Sequence, residues 1–244
     1  MDGFSERYKD MRALSEKGNV TLVKEIISGN LYVRKTLGAA NEKTYKKLLN
    51  VRHKNLEQIK ELYVSGSTLT VISDYFKGSS LADKLSDGEV YSYKELKKIV
   101  LQLCDAVECL YKHKIVHRDI NPNNILIDEK INLKLIDYSI SRIHTGQAGR
   151  DTTLMGTNGY TAPEQYGFME TGVSADIYSI GKVMRAVLSN NENDSKSFAA
   201  FYISERCTEY LPKERLSLFK LRLLVNLLTD KPIIGARIKD LLGD

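Results

Sequence analysis

One polar segment near the middle of the chain constrains the fold more than any other feature of the sequence. Residues 117–124 read His-Arg-Asp-Ile-Asn-Pro-Asn-Asn, which fits the pattern H-R-D-x-x-x-x-N. A helical pattern precedes this segment, and two short apolar runs at residues 125–127 and 133–136 follow it as a hairpin. The sequence therefore predicts a loop on a rigid base, in which Asp119 and Asn124 are candidate functional residues.

Helical patterns dominate the chain on both sides of this loop. Ser92 and Glu95 have the spacing of a capping box, and apolar residues then recur every three or four positions over residues 96–110. A second apolar helix is predicted over residues 177–187, and most of the chain beyond residue 197 also has a helical pattern. Residues 140–172 lack such periodicity, which is typical of a functional or disordered segment.

The first third of the chain has the pattern of strands instead. β-Branched residues are frequent in residues 20–27, a second strand is predicted over residues 31–37, and the turn signal Ser-Gly-Asn between them predicts a hairpin. A short helical stretch over residues 45–51 follows, and then two more predicted strands at residues 56–63 and 69–76. This part of the chain is therefore expected to form a small, mostly antiparallel sheet with one helix.

Two further polar segments follow the loop in a fixed order. Residues 137–139 read Asp-Tyr-Ser, and residues 156–164 read Gly-Thr-Asn-Gly-Tyr-Thr-Ala-Pro-Glu. Together with residues 117–124 they match the signature set of protein kinases in order and spacing. Over nearly its whole length, residues 12–228, the chain resembles the eukaryotic-type protein kinases, and residues 156–167 resemble those of small serine/threonine kinases of Gram-positive bacteria.

The resemblance implies an α+β, two-lobed protein-kinase fold. A small N-lobe, residues 1–76, is expected to carry the antiparallel sheet and one helix, and a larger, mainly helical C-lobe is expected over residues 79–244. The hinge is expected at residues 74–78, within a single kinase domain of residues 1–244, with ATP bound under the small sheet.

The resemblance also implies roles for individual residues. Asp119 matches the catalytic base, and Asn124 and Asp137 match the ligands of Mg²⁺, for which Mn²⁺ can substitute. Lys35 matches the strand lysine that grips the α- and β-phosphates of ATP. Because the gatekeeper position holds the small residue Ser73, extra room is expected behind the adenine. The remaining residues expected at the nucleotide are Lys17, Gly18, Val20, Asp74 and Phe76.

Further residues match structural and regulatory positions of the family. Asp176 matches the helix-start aspartate that braces the catalytic loop, and Glu164 and Arg215 match a buried ion pair. Arg118 matches an arginine that receives a phosphate from the activation loop. The candidate phosphosites in that loop are Thr152 and Thr153.

The sequence departs from the family pattern in the predicted N-lobe. The loop before Val20 keeps one glycine, Gly18, where the family has three, so Lys17 is expected to supply charge there. Thr44 stands where the family has the helix glutamate that pairs with the strand lysine. Glu42, two residues away, is either a substitute for that glutamate or an ordinary charge at a helix N-terminus, and the sequence leaves both interpretations open.

Departures in the predicted C-lobe lead to alternative functions. Asn121 replaces the catalytic-loop lysine and Ser139 replaces a glycine, so a pseudokinase without phosphotransfer is the main alternative. A small-molecule kinase is a second alternative, although residues 156–164 resemble a peptide-docking loop. Because the catalytic lysine, the aspartate and both metal ligands are present, we expect an active protein kinase, and Thr157 favours serine and threonine over tyrosine as acceptors.

The composition limits the partners and the compartment. The formal net charge is +5, but the basic residues are spread along the chain, which disfavours nucleic-acid binding. Three cysteines without a C-x-x-C pair favour a reducing, cytoplasmic compartment, and no segment has the pattern of a signal peptide or a membrane span. The expected partners are ATP, protein substrates, and a second copy of the chain during autophosphorylation.

Overall fold

The computed structural model of the protein describes residues 6–144, 156–167, 171–189 and 198–228. The chain divides into two compact units, Met1–Lys77 and Gly78–Asp244. The first unit contains an antiparallel sheet, and the second contains most of the helices. This confirms the predicted α+β class of the kinase-like fold, whereas the organisation as one domain with a hinge at residues 74–78 stays a prediction.

The described residues of the first unit form a five-stranded antiparallel sheet in the order β1-β2-β3-β5-β4. Its strands are β1 (Tyr8–Ala13), β2 (Val20–Glu25), β3 (Leu31–Gly38), β4 (Ile59–Ser65) and β5 (Thr68–Asp74). Tyr8, Val23 and Ile72 form an apolar cluster, against which Tyr32 and Tyr63 pack. The cluster ties β1 and β2 to the central part of the sheet.

The turns between paired strands confirm the two predicted hairpins, but one predicted strand starts too early. Gly29 and Gly66, at the β2–β3 and β4–β5 turns, have φ angles of 72° and 56°, which glycine adopts without a steric cost. Strand β4 begins at Ile59 and not at Leu56. The preceding residues form a turn instead, in which the side chain of Gln58 donates to the carbonyl oxygen of His53 at 3.1 Å.

The helix of the first unit is short. Helix α1 (Glu42–Leu48) follows a 3-10 turn at Ala39–Asn41 and buries Tyr45 and Leu48. Val51 continues the predicted periodicity and is also buried, but it lies beyond the end of the helix.

The second unit carries the remaining helices and several short strands. They are β6 (Ser79–Ser80), α2 (Leu81–Ser86), α3 (Tyr93–Lys112), β7 (Ile115–Val116), β8 (Ile125–Ile127), β9 (Leu133–Leu135), β10 (Arg142–Ile143), α4 (Val173–Ser189), α5 (Phe198–Cys207) and α6 (Leu218–Leu227). The predicted capping box of α3 is confirmed, because Ser92 Oγ accepts the N–H of Glu95 and the Glu95 carboxylate accepts the N–H of Ser92. Within the described ranges, none of the helices is long and apolar enough to span a bilayer.

Close packing in the second unit depends on a glycine. A Cβ atom at Gly181, in the middle of α4, would lie 2.6 Å from Cβ of Cys207 on α5, so a larger residue would force the two helices apart. Cys104 and Cys207 are buried, and burial raises the pKa of both thiols, which keeps them protonated. Cys104 and Cys207 therefore pack in the core of the second unit, whereas Cys109 is only partly buried.

Candidate active site

The backbone of the loop at residues 117–124 is fixed by a carboxylate from the first turn of α4. Asp176 accepts the N–H of His117 through Oδ2 at 2.9 Å and the N–H of Arg118 through Oδ1 at 2.8 Å. Burial raises the pKa of Asp176 to about 6, although the two amide donors act in the opposite direction. One buried side chain thus connects α4 to the start of the loop.

His117 connects the loop to the Asp-Tyr-Ser segment. Its Nδ1 accepts the N–H of Asp119 at 3.3 Å, and its Nε2 lies 3.1 Å from the carbonyl oxygen of Ile136. Because Nδ1 accepts, Nε2 is assigned the ring proton and donates to Ile136. The ring also packs edge-on against Tyr138, with centroids 5.4 Å apart. The position of Asp119 therefore depends on the strand that precedes Asp137.

Asp119 lies at the centre of a hydrogen-bond network. Its Oδ1 accepts the hydroxyl of Thr157 at 2.7 Å and the N–H of Thr157 at 3.1 Å. Its Oδ2 accepts Nδ2 of Asn124 at 2.8 Å. The residue remains partly exposed to solvent. The carboxylate is thus held in one orientation by three donors while it remains accessible to an external hydroxyl group.

Asn121 fills the position where the family has a lysine. Its Nδ2 donates to the carbonyl oxygen of Asp119 at 3.1 Å and to Oγ1 of Thr157 at 3.0 Å, while its Oδ1 accepts the N–H of Asn123 at 2.9 Å. The side chain is buried. Asn121 therefore joins the loop to Thr157 as a neutral donor, without the positive charge of a lysine.

Asn124 and Asp137 lie at the same end of the β8–β9 hairpin. The N–H of Ile136 donates to the carbonyl oxygen of Asn124 at 2.9 Å, which brings the two segments together. Nδ2 of Asn124 is used toward Asp119, so its Oδ1 is the atom left for a cation. An amide oxygen and a carboxylate are hard donors, and this donor set fits Mg²⁺.

Two residues of this region have an unusual backbone conformation. Arg118 and Asp137 have φ angles of 71° and 68°, in the left-handed region that residues other than glycine rarely adopt. Such conformations are concentrated at functional sites, where the surrounding contacts impose them. The contacts here include the Asp176 carboxylate on Arg118 and the N–H of Ser139, which donates to Asp137 Oδ1 at 3.0 Å.

A buried ion pair supports the segment that carries Thr157. Arg215 donates through both terminal nitrogens to the Glu164 carboxylate, at 2.6 and 2.7 Å, and both side chains are fully buried. The guanidinium also donates to the carbonyl oxygens of Ser174, Glu209 and Tyr210. Each charge is therefore compensated by a partner inside the second unit.

Arg118 is near a second arginine. Its side chain is largely buried, and burial lowers the pKa of the guanidinium, which the charge of Arg142 on β10 lowers further. Two neighbouring guanidinium groups favour binding of an anion such as a phosphate. The candidate phosphosites Thr152 and Thr153 lie outside the described residues.

In the first unit, the expected phosphate loop is a tight turn between β1 and β2. Gly18 has a φ angle of 67° and donates its N–H to the carbonyl oxygen of Ser15 at 3.0 Å. Ser15 Oγ accepts the N–H of Val20 at 3.1 Å and donates to the side chain of Asn19 at 2.8 Å. Lys17 lies at the exposed tip. A serine side chain therefore maintains the turn where the family uses additional glycines.

The other nucleotide candidates of the first unit lie on β3 and β5 or directly after them. Lys35 pairs across the sheet with Val71 and is 9% exposed. Asp74 forms an ion pair with Lys60 at 3.2 Å, and Phe76 follows the end of β5. The hydroxyl of Ser73 donates to Oε1 of Glu57 at 2.6 Å. The extra room expected behind the adenine stays a prediction, and the Glu57 carboxylate lies beside the small side chain of Ser73.

Glu42 does not act as a partner of Lys35 in the structure. Within the described part of the chain, its ion pair is with Lys46, one turn further along α1, at 2.5 Å. Of the two interpretations that the sequence left open, the structure favours an ordinary charge in the first turn of a helix.

Comparison with known proteins decides the family. The model of the protein kinase domain matches residues 11–220. The chain belongs to the protein kinase family. A putative leucine-rich repeat receptor-like serine/threonine-protein kinase of Arabidopsis thaliana is 31% identical to this kinase domain over 83% of the chain. CBL-interacting serine/threonine-protein kinase 19 of the same plant is 30% identical over 76% of the chain.

A yeast relative has a similar degree of identity. A cell cycle serine/threonine-protein kinase of Saccharomyces cerevisiae is 29% identical to this kinase domain over 66% of the chain. The chain spans only 25%, 39% and 24% of the receptor-like kinase, the CBL-interacting kinase and the yeast kinase, respectively. The similarity is therefore to one part of each of these larger proteins.

Several polar residues around the kinase signature motifs have roles that the sequence alone does not indicate. They include Arg142, Glu57 and Gln165, whose amide donates to the carbonyl oxygen of Arg118 at 2.9 Å. The sequence indicates only an acceptor preference for Thr157, yet this residue makes two hydrogen bonds to Asp119. The family pattern at residues 156–164 was the available signal for Thr157, whereas the others depend on contacts between distant segments.

Proposed function

We propose that this kinase domain is an ATP-dependent serine/threonine protein kinase. The observation that carries the proposal is the orientation of the Asp119 carboxylate by Thr157 and Asn124, on a loop that Asp176 fixes to α4. Phosphoryl transfer depends mainly on alignment and charge neutralisation, so a rigidly held carboxylate is the principal requirement on the protein side of the reaction.

The proposed reaction follows from this arrangement. The hydroxyl oxygen of a serine or threonine in the protein substrate attacks the γ-phosphorus of ATP, and the bond from that phosphorus to the β,γ-bridging oxygen breaks. ADP leaves, and the carboxylate of Asp119 accepts the hydroxyl proton. The hydrogen bonds from Thr157 and Asn124 keep the carboxylate facing the acceptor during the transfer.

The proposal assigns roles toward ATP and the metal to particular residues. Asn124 and Asp137 supply the oxygen ligands, and a bound Mg²⁺ or Mn²⁺ would neutralise charge on the phosphates. Lys35 is proposed to contact the α- and β-phosphates, and Lys17 to add positive charge from the turn between β1 and β2. Ser73, Asp74 and Phe76 are proposed to adjoin the adenine.

The contacts of Thr157 support a protein substrate with a serine or threonine acceptor. Thr157 bonds the Asp119 carboxylate through its hydroxyl and its N–H, and a threonine at this position of the family pattern favours serine and threonine as acceptors. The names of the plant and yeast relatives also contain serine/threonine-protein kinase. The same segment argues against a small-molecule kinase, because residues 156–164 have the pattern of a peptide-docking loop.

A pseudokinase is the alternative with specific observations in its favour. Asn121 is a neutral donor, and Thr44 takes the place of the helix glutamate. Against this alternative, the residues proposed for proton acceptance and metal binding are all present. The hydrogen bonds of Asn121 to the loop and to Thr157 support retention of the loop geometry without the lysine.

The remaining expectations about the setting of the enzyme stay predictions. The resemblance to kinases of Gram-positive bacteria has no support from the plant and yeast relatives, and a cytoplasmic location is likewise untested. The proposed partners are protein substrates, and a second copy of the chain if the enzyme phosphorylates itself.

Autophosphorylation is proposed at Thr152 or Thr153, with the phosphate received by Arg118. The positive charge of Arg142, which acts on Arg118 and lowers the pKa of its guanidinium, supports this hypothesis because it adds to the attraction for a phosphate. Mass spectrometry of active enzyme after incubation with ATP tests it. If both threonines are unmodified in an active preparation, the hypothesis is wrong.

One combined experiment separates the candidate functions. The protein is incubated with Mg²⁺ and γ-labelled ATP, alone and with a generic basic protein, and its melting temperature is measured with and without ATP. Label on serine or threonine of either protein supports the proposed function. A melting temperature raised by ATP without label transfer would instead indicate a nucleotide-binding pseudokinase.

A further inference from the structure

The family pairs its strand lysine with a glutamate of the following helix, and this chain lacks that glutamate. Thr44 occupies the expected position on α1, and the carboxylate of the neighbouring Glu42 is paired with Lys46. A different carboxylate is therefore needed if the amine of Lys35 is to be oriented in the usual way.

The register of the sheet identifies which side chains share a face with Lys35. Lys35 on β3 is directly opposite Val71 on β5, and Val33 is directly opposite Ser73. Residues directly opposite each other on paired strands point to the same face, so Lys35 and Val71 share a face. Side chains two residues apart on one strand also point to the same side, so Ser73 lies on the face of Val71 and Lys35. They are diagonal neighbours, at a separation that long side chains bridge.

The carboxylate of Glu57 lies on this same face. The hydroxyl of Ser73 donates to Oε1 of Glu57 at 2.6 Å. Ile59, two residues after Glu57, is directly opposite Ser73 in the pairing of β4 with β5. This register is consistent with a position of Glu57 on the same face as Ser73. Glu57 comes from outside α1, in the turn that leads into β4.

The turn that carries Glu57 is well fixed. The backbone N–H of Leu56 donates to the carbonyl oxygen of His53 at 3.1 Å, and the amide of Gln58 donates to the carbonyl oxygens of His53 and Leu56. The N–H of Asp74 donates to the carbonyl oxygen of Gln58 at 3.0 Å. Hydrogen bonds of the residues before and after Glu57 therefore fix the backbone that carries the Glu57 carboxylate.

The surroundings favour an electrostatic interaction between Glu57 and Lys35. Ser73 and Val71 are almost completely buried, and Lys35 is 9% exposed, so the effective dielectric constant is lower than in water. We propose that Glu57 is the positioning residue that orients Lys35 toward the phosphates of ATP, in place of the missing helix glutamate. This inference rests on the proposed role of Lys35 in ATP binding.

The direction of the effect on ATP affinity separates this role from other roles of Glu57. Removal of a negative charge near bound phosphates would by itself tighten ATP binding, because like charges repel. If Glu57 orients Lys35, its removal weakens ATP binding instead. Glu57→Gln is suitable, because glutamine has almost the same shape and its side-chain oxygen can still accept the Ser73 hydroxyl.

The test compares the dissociation constant of Mg²⁺–ATP for the wild type, Glu57→Gln and Glu42→Gln, with unfolding curves to verify that each variant is folded. Glu57→Gln is expected to raise the dissociation constant roughly tenfold, the effect of losing one charge-assisted contact. Glu42→Gln makes the same chemical change in the carboxylate that pairs with Lys46, and it is expected to stay within about twofold of the wild type.

A double-mutant cycle with Lys35→Met tests whether Glu57 acts through Lys35. Glu57→Gln is expected to cause no further loss of ATP affinity when Lys35 is already methionine, since the group that Glu57 orients is gone. Unchanged or tighter ATP binding by Glu57→Gln, or a full additional loss in the Lys35→Met background, would overturn the inference. Failure of the proposed function is a separate result, namely ATP binding by the wild type without phosphotransfer.

Discussion

The Glu164 carboxylate and the Arg215 guanidinium are both removed from water, so each depends on the other for compensation. Arg215→Met would leave the carboxylate buried without its cation. We expect the free energy of unfolding to fall by about 3–5 kcal/mol, measured by urea denaturation. Because Glu164 follows the segment that carries Thr157, label transfer should fall as well.

Arg185→Met is the matched control for this prediction. Arg185 pairs with Glu205 at 3.4 Å on the surface, where both side chains are well exposed. Its removal is expected to cost less than about 1 kcal/mol. Equal losses for the two variants would contradict the importance that we assign to the buried pair.

Asp176 makes the stability of the kinase domain depend on pH in an unusual direction. Burial raises its pKa to about 6, from an ordinary value of 3.8. Between these values the folded state holds a proton that the unfolded state has released, so the contribution of Asp176 to the free energy of unfolding falls as the pH rises. A carboxylate whose pKa is lowered by folding acts in the opposite direction, because its contribution to the free energy of unfolding rises with pH.

Comparison with Asp176→Asn isolates this contribution. The variant also loses one acceptor for the loop amides, which lowers its stability at every pH. The stability advantage of the wild type is therefore expected to shrink by about 2 kcal/mol between pH 4 and pH 6, on the basis of 1.36 kcal/mol per pKa unit. Urea denaturation across this range measures it, and an advantage that grows with pH would refute the prediction.

At the scale of structural elements, the segment of residues 156–167 depends on a single glycine. Gly156 has a φ angle of 135°, and a Cβ atom there would lie 2.3 Å from Oγ1 of Thr161. That hydroxyl donates to the carbonyl oxygen of Thr157 at 2.8 Å. Gly156→Ala is therefore expected to displace Thr157 and to lower kcat at least roughly tenfold, while ATP affinity is retained.

Gly66→Ala is the control for this substitution. Gly66 also has a positive φ angle, of 56°, but no heavy atom lies within 4 Å of the added Cβ. The substitution Gly66→Ala should lower the free energy of unfolding by about 1–2 kcal/mol through backbone strain and leave kcat unchanged. A normal kcat in Gly156→Ala would mean that the position of Thr157 does not control the reaction.

The elements that the sequence predicted well are those with a strong local signal. The capping box and apolar stripe of α3 and the turn at Gly29 are examples. Strand β1 was not predicted, because its sequence Tyr-Lys-Asp-Met-Arg-Ala has no apolar alternation and only Tyr8 is buried. It becomes a strand through pairing with β2, which is a tertiary effect.

The candidate site was predictable to the extent that it follows signature motifs. Asp119, Asn124 and Asp137 could be selected from their match to the signature motifs of the family, but their hydrogen bonds could not be predicted. The contact between Glu57 and Ser73 joins residues 16 positions apart, and it depends on the pairing of β4 with β5. The family pattern points to the helix around Thr44 for this carboxylate, so Glu57, which lies outside the helix, could not be identified from it.

At the scale of the whole molecule, the proposed roles divide between the two compact units. Lys35 and Glu57 belong to the first unit, whereas Asp119, Asn124 and Asp137 belong to the second. Substitutions in the first unit should therefore act mainly on ATP affinity, and substitutions near Asp119 should act mainly on the rate of transfer. This division makes the function testable without knowledge of the physiological substrate.

The most direct test of the central claim is label transfer from γ-labelled ATP by the wild type and Asp119→Asn, after both are shown to bind Mg²⁺–ATP with similar affinity. The loss of a positioned base should lower kcat by about 10²–10⁴-fold. We predict transfer to serine or threonine by the wild type and a loss of this size in the variant. Equal transfer by both proteins, or none by the wild type, would contradict a protein kinase in which Asp119 is the catalytic base.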